Sequence, residues 1–546
     1  MLRRVTRVVL AAAAAVTLTF LLTGSPPAAT AAGPYVPVNG AGSTWSENAI
    51  RQWASNVQQY GMRIDYAGTG STDGRNQFAS GLVDFGVSEI PYGKDDNAAA
   101  EAKPKFKYAY MPIVAGGTAF MYNLSIGKNR VTNLRLSGDT LVKIFTNVIT
   151  KWNDPAIKAD NPGLALPARK IVPVVRSDGS GTTAQFSTWM ANQYPSLWNA
   201  YCARAGRKTP CGVTSIYPTI AGTATTAQSS STGVAAYVAQ DASVGAITYV
   251  EYSYALNLHF PVAKIRNKAD YYIEPTAPSV AVALLKAKIN NVQGSQDYLT
   301  QDLRGVYTNA DKRTYPLSSY SYMLIPVDEE NDRFKVAKGK TLGDFAYYFL
   351  CEGQQQADSL GYSPLPKNLV EAGIAQVKRI PGVDVKAINL SGCHNPTFSS
   401  DGSNTLAKNA PQPRACDKVG PVQCTTGTGG AKSETPTSNG GNKNNNNTNH
   451  SSGGTGNSAN PASTAGTGTP TAGSTAGAVI DPDTGQVVGG TGGGGADSVS
   501  AIPVSLSNQL DPTLKLVLII VACALLLGLT VGPPLIARLL HGGGRR

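Results

Sequence analysis

Histidine is nearly missing from this sequence, with four residues in 546, and charged residues of both signs make up only 15% of the chain. General acid–base catalysis therefore has little to work with. His259 is the one obvious histidine of the part that reads as folded, and no acid–base pair stands at a recognisable spacing. Ser180 has glycine on both sides but lies outside a GxSxG frame, so a serine hydrolase would rest on His259 alone. Cysteine is also sparse, seven residues without a CxxC pair, and only His394 adjoins one. A metal site has no frame in that spacing, and nothing else calls for a cofactor. There is no LPxTG-like sorting sequence and no internal repeat. Apolar residues are not lacking: 42% hydrophobic content with 24 tyrosines excludes a wholly disordered chain.

The net charge of +12 overstates how basic the protein is. Arg3, Arg4 and Arg7 precede an apolar run near the start, and Lys515, Arg538, Arg545 and Arg546 flank another near the end. Setting these seven aside reduces +12 to +5, a poor basis for nucleic-acid binding. The first run, Val8 to Leu22, is followed by small residues through Ala28–Ala32, the pattern of a secretory signal peptide over residues 1–32. No cysteine lies near that cleavage point to take a lipid. The second, Leu516 to Ile536, holds no charge and is long enough to cross a bilayer. The basic residues after it suit a cytoplasmic tail over 537–546. The expected product is a single-pass protein of the cell membrane with its bulk outside the cell.

Cysteine placement agrees with that topology. Cys202, Cys211, Cys351, Cys393, Cys416 and Cys424 fall in the exterior part, and Cys523 falls in the span. Six cysteines in an oxidising compartment suggest three disulfides, with 15 pairings open. Proximity in sequence favours Cys202–Cys211 and Cys416–Cys424, which leaves Cys351 with Cys393.

From Pro34 to Val377, β-rich runs alternate with helical ones. Strands are expected at Met62–Tyr66, Val83–Val87, Tyr108–Val114, Ala119–Asn123, Ile171–Arg176, Gly245–Val250 and Tyr320–Val327. Helices are expected at 44–60, 73–80, 137–145, 182–191, 232–240, 279–286, 342–351 and 367–377. Such alternation predicts parallel α/β sheets, and the stretch is too long for one comfortable core, so two lobes are expected. Tyr249, Tyr252, Tyr254, Tyr315, Tyr320 and Tyr322 read as strand and core-edge packing. From Thr425 to Ser498 the composition turns to Gly, Ser, Thr and Asn, as in a flexible linker. Its root-mean-square span would be roughly 45 Å.

Three turns carry the chemical signal: GAGSTW at 40–45, GTGST at 68–72 and RSDGSGTT at 176–183. Each stands between an extended run and a helix, where glycine admits a ligand and Ser or Thr supplies a hydroxyl. Amides at a helix N-terminus make an anion site. One such turn is no more than a capped helix start; three, one with an arginine, point to oxyanion binding. Arg176 offers a planar fork of donors, Asp178 is placed to hold it, and Ser180, Gly181 and Thr182 would line the same cavity.

These turns, with VDFGVSEIPY (83–92), KWNDPAIKADNPGLALP (151–167), GAITYVEYSYA (245–255) and LGYSPLP (360–366), follow one family's pattern in order. The sequence resembles the substrate-binding protein of the bacterial high-affinity phosphate ABC transporter over residues 39 to 378. The resemblance implies an α/β, two-lobe periplasmic-binding-protein fold (Venus flytrap, type II), followed here by the disordered linker and one transmembrane helix. Lobe I would comprise 34–115 and 265–378, lobe II 116–264, with a cysteine-containing extension over 379–424. The implied ligand is inorganic phosphate, and the implied partner is the permease complex of the importer. Phosphate contacts would come from Thr44, Trp45, Ser71, Glu89, Arg176, Ser180, Gly181 and Thr182, with Asp178 in support. The family has Phe at Trp45, a small change where the backbone makes the contact.

One departure bears on the ligand. The family motif typically reads DFGASD, and its last Asp accepts a hydrogen bond from phosphate's own proton; this chain has Glu89 there. Asp73, where the family usually has Gly, adds a second acid near the same helix start. A binder of another oxyanion, or a surface interaction protein that kept the fold and lost transport, is the alternative.

Overall fold

The computed structural model describes residues 35–95, 101–329, 331 and 334–433, and two short strands beyond them. The expected signal peptide, the span at 516–536 and the basic tail lie outside the described residues. Among the described residues no helix is long and apolar enough to cross a membrane.

Eight strands form one continuous sheet: β1 Val38–Gly42, β2 Ile64–Ala67, β3 Phe85–Ser88, β4 Tyr108–Tyr122, β5 Val172–Arg176, β6 Thr226–Gln228, β7 Ala246–Glu251 and β8 Ser318–Pro326. Their spatial order is β2-β1-β3-β8-β4-β7-β5-β6. The pairs β1/β2, β1/β3, β5/β7 and β5/β6 are parallel. Strands β4 and β8 run against their neighbours, so the sheet is mixed rather than wholly parallel. Two strands expected at 108–114 and 119–123 are one strand of 15 residues. The stretch 115–118 left between them, with Gly116-Gly117, is where β4 passes from one lobe to the other. Ser318–Pro326 pairs with its first part, and Glu251 and its strand pair with Thr118 onward.

Aromatic rings pack on both sides of the sheet's crossing strands, within one continuous hydrophobic core. On the β1 side, Trp53 stacks on Phe349 at 5.2 Å and Phe85 meets Phe345. On the β5 side, Phe120, Phe145, Phe186 and Tyr249 form a closed cluster of ring contacts between 5.2 and 5.9 Å. Each fully buried ring contributes about 1.5–3 kcal/mol of hydrophobic stabilisation. The return crossing falls after Ile273, not between 264 and 265, because Lys264–Arg266 pairs with Arg135–Leu136 on one side and with Tyr272–Ile273 on the other.

The expected disulfides are present: Cys202–Cys211, Cys351–Cys393 and Cys416–Cys424. Asp417 lies beside the last pair, but those cysteines are joined to each other and offer no thiolate to a metal. The extension forms a strap across both lobes. Asn395 and Thr397 donate to the Leu365 carbonyl, and Arg313 donates to that of Ala407. Farther on, Asp417 accepts from buried Lys264 at 2.6 Å and Gln423 donates to Asn133. The expected linker start at Thr425 is too early: Thr428 N–H donates to Thr132 O, and Gly429 N–H donates to Glu274. These bonds, with one from the Thr132 hydroxyl to Ser433 O, hold the chain to the body as far as Ser433. Beyond it, Val479–Ile480 pairs antiparallel with Val487–Val488.

Candidate functional site

The three turns meet where the lobes close. β1 delivers GAGSTW, and its glycines serve packing: Gly42 has φ +139°, and a Cβ there would stand 2.2 Å from Val87 O. A Cβ on Gly74 would stand as close to Gly42 Cα, so glycine there lets the helix Ser71–Ala79 (α1) press against the strand. The helix Gly181–Gln193 (α2) starts at the RSDGSGTT turn, with Ser180 Oγ accepting the Thr183 N–H as its cap. Bonds cross the cleft directly: Thr72 N–H donates to Gly179 O at 3.0 Å, and Gln185 donates to Glu89 O at 2.7 Å.

Glu89 is fully buried. Its Oε1 accepts from Ser43 at 2.5 Å and from Ser321 at 2.9 Å, and its Oε2 accepts from Ser71 at 2.7 Å. Burial pushes the Glu89 carboxyl above its ordinary value, opposed by these three hydroxyls and by the charge of Arg176. Gly181 N–H donates to Ser71 Oγ at 3.0 Å. A Cβ at Gly181 would fall 1.8 Å from Glu89 Oε2, so only glycine fits between the helix start and the carboxylate.

Arg176 lies opposite, 2% exposed. Its Nε donates to Asp178 Oδ1 at 2.7 Å, and a second bond joins Nη2 to Oδ2. Burial alone would raise the Asp178 carboxyl, but its bonds to Arg176 and that charge outweigh this and hold it below the usual range. The remaining Nη1 of Arg176 donates to Ser231 Oγ at 3.2 Å. Ser231, at the start of the helix Ser230–Ala239, also bonds Thr44 Oγ1 through its hydroxyl at 2.8 Å and its N–H at 3.1 Å. Thr182 Oγ1 is buried with no hydrogen-bond partner among the described residues, a donor left for a bound oxyanion.

The structure thus gathers Thr44, Ser71, Glu89, Arg176, Gly181 and Thr182 with Asp178. Two residues behave differently from expectation. Trp45 N–H donates to Ser43 Oγ, so that hydroxyl competes with any ligand for it. Asp73 is exposed and accepts from Gln77, facing away from the cleft acid. His259 is exposed and sits against Gly430, while Ser180 bonds Thr183 and Ser215. Sequence reasoning missed Ser43, Ser231 and Ser321, and it took Tyr249 and Tyr254 as packing only. Tyr249 OH accepts from Arg176 N–H, and Tyr254 OH donates to Thr44 O. Ser43 stood inside a motif already singled out; Ser231 and Ser321 carry no local signal.

Two lobes joined by a crossing strand, with an arginine, a buried acid and a helix N-terminus in the cleft, define a solute-binding protein for small oxyanions. A family model described as a PBP superfamily domain matches residues 24–352. The phosphate-binding protein PstS of Xylella fastidiosa (strain Temecula1) is 32% identical over 338 residues, 62% of this chain and 83% of the relative. That of Pasteurella multocida (strain Pm70) is 30% identical over 343 residues, 62% and 90%. That of Methanocaldococcus jannaschii is 32% identical over 348 residues, 62% and 85%. The chain belongs to the PstS phosphate-binding protein family of the PBP superfamily. A solved structure of a high-affinity periplasmic phosphate-binding protein, PfluDING, bound with phosphate, covers 64% of this chain and 97% of its own. It shares 19% identity at a TM-score of 0.49.

Proposed function

We propose that this protein is an extracellular, membrane-tethered receptor that captures inorganic phosphate and delivers it to the permease of an ABC importer. The observation that carries the reading is the pairing of one cation and one acceptor across a helix start. Arg176, fixed by Asp178, offers the charge; Glu89 offers an acceptor beside Gly181. Phosphate needs both, because it carries charge to be neutralised and at least one proton to donate. Sulfate near neutral pH has no proton to give, and a carboxylate facing it would be repelled and left unpaired. Thr44, Ser71, Ser180, Gly181 and Thr182 would complete the shell, with Trp45 sharing its amide between Ser43 and the ligand. The Ser231 donors now on Thr44 would rearrange on the anion at small net change, while Gly181 shares its amide between Ser71 and the ligand.

In this reading the signal peptide directs export and the span at 516–536 anchors the chain. Calorimetry on purified ectodomain, stripped of anions and titrated with inorganic phosphate, tests it. Saturable one-to-one binding is expected. An ectodomain that binds no oxyanion would overturn the receptor reading and leave a surface interaction protein on the same fold.

A further inference from the structure

We propose that Ser321, with Ser43 and Ser71, is a positioning residue that occupies all but one acceptor position of Glu89, so that the carboxylate can take a single proton from the ligand. This rests on the phosphate reading above. An ionised carboxylate has about four lone-pair positions. On Oε1, Ser43 and Ser321 take two; on Oε2, Ser71 takes one. The position left is on Oε2, the oxygen that lies against Gly181 at the helix start.

The direction of these bonds is set by what stands behind each serine. Ser43 Oγ accepts from Trp45 N–H and Ser71 Oγ accepts from Gly181 N–H, so both hydroxyl protons are free to point at Glu89. Ser321 Oγ lies 3.0 Å from Ser46 Oγ; with Ser321 donating to Glu89, Ser46 donates to Ser321. Three donors, each backed by another donor, suit an ionised carboxylate and oppose a protonated one. That opposition is needed because the group is buried. Loss of the Ser321 hydroxyl would leave Oε1 with Ser43 alone and favour uptake of a proton by Glu89 itself. A protonated Glu89 donates, and a donor no longer rejects a bare oxyanion.

Other ionisable groups surround Glu89. They are Arg176 with Asp178, Arg75 with Glu101 behind neighbouring Ser88, Lys94 in the pocket that Glu89 also lines, Tyr66 from β2, and Tyr322 beside Ser321 on β8. Burial raises both tyrosines, and Asp178 is held low, so neither type changes charge near neutral pH. Glu89 is the acid whose protonation would alter selectivity.

The test is a competition titration of phosphate against sulfate from mildly acid to mildly alkaline buffer, on the wild-type ectodomain, Ser321→Ala, Ser321→Thr and Ser46→Ala. Sulfate is unprotonated and phosphate keeps a proton throughout that range. Wild type should prefer phosphate, losing preference only at the acid end. In Ser321→Ala the fall should begin at a pH about one unit higher, equal to a tenfold loss of selectivity on the slope. Ser321→Thr should keep the wild-type profile, and Ser46→Ala should move it the same way by less. A Ser321→Ala profile parallel to wild type would overturn the inference, whatever its effect on melting temperature. Should that variant fail to fold, Ser46→Ala decides: a shifted profile supports the inference, and one superposed on wild type overturns it. A wild type that binds no phosphate would instead bring down the receptor reading.

Discussion

Replacing Glu89 with Gln removes one charge and changes one oxygen for a donor in a fully buried place. Two of its three bonds fix how the amide must sit. With the amide oxygen toward Ser43 and Ser321, both hydroxyls still have their acceptor, at 2.5 and 2.9 Å in wild type. The amide nitrogen then lies on the Ser71 side, where Ser71 Oγ already accepts from Gly181 N–H. Ser71 must turn its proton elsewhere, and the ligand meets an N–H where it had met an acceptor. For phosphate this loses a hydrogen bond to a charged group, about 1.5–3 kcal/mol, or roughly tenfold to a hundredfold in affinity. Sulfate loses nothing at that position, because it had no proton to place there. The phosphate-to-sulfate preference should therefore fall by the same factor while both anions still bind. Competition calorimetry of the two anions against wild type and Glu89→Gln measures it. Unchanged selectivity would refute the reasoning: Asp73 is exposed and bonded to Gln77, and Asp178 is committed to Arg176.

Arg176→Ala should be worse for binding than Glu89→Gln, and it should also destabilise the fold by about 3–5 kcal/mol, because Asp178 loses its buried partner; calorimetry and denaturant unfolding read the two effects, and an undiminished affinity would refute the role of Arg176. In Gly181→Ala the new methyl would fall 1.8 Å from Glu89 Oε2 and 2.5 Å from Ser71 Oγ, so phosphate binding should be lost, and binding at wild-type strength by titration would contradict the close approach. Mass spectrometry of the non-reduced ectodomain should find no free thiol among its six cysteines; free thiols in secreted protein would contradict the pairing. Breaking Cys351–Cys393 as a double serine variant should cost about 2–4 kcal/mol in unfolding and release the start of the strap to protease, whereas an unchanged digestion pattern would mean that the strap is held by its other bonds.

Much of this protein could be read without coordinates, and the parts share one property: they are contiguous. RSDGSGTT carries its arginine, the acid that holds it, and the helix start within eight residues, so local geometry brings them together. The helix at 367–377 is found at the expected bounds, since its apolar period lies within its own sequence. The disulfides with short spacing follow from proximity, and the remaining pair follows from them. What tertiary structure decided lies between residues far apart. Separate strands are expected on either side of Gly116-Gly117, yet β4 continues through it because β8, some two hundred residues later, supplies partners for its backbone on one side. The strap's adherence past Thr425 depends on carbonyls and carboxylates near residues 132 and 274, which a Gly- and Thr-rich sequence does not announce. Ser231 and Ser321 are single hydroxyls with no pattern around them. They stand 187 and 232 positions from Thr44 and Glu89, and only the fold sets those distances to hydrogen-bond length. The sequence alone determined which residue types could hold an oxyanion; the tertiary structure decided which serines turn Glu89 into an acceptor. A hydroxyl donates or accepts according to its neighbours, and here those neighbours come from elsewhere in the chain.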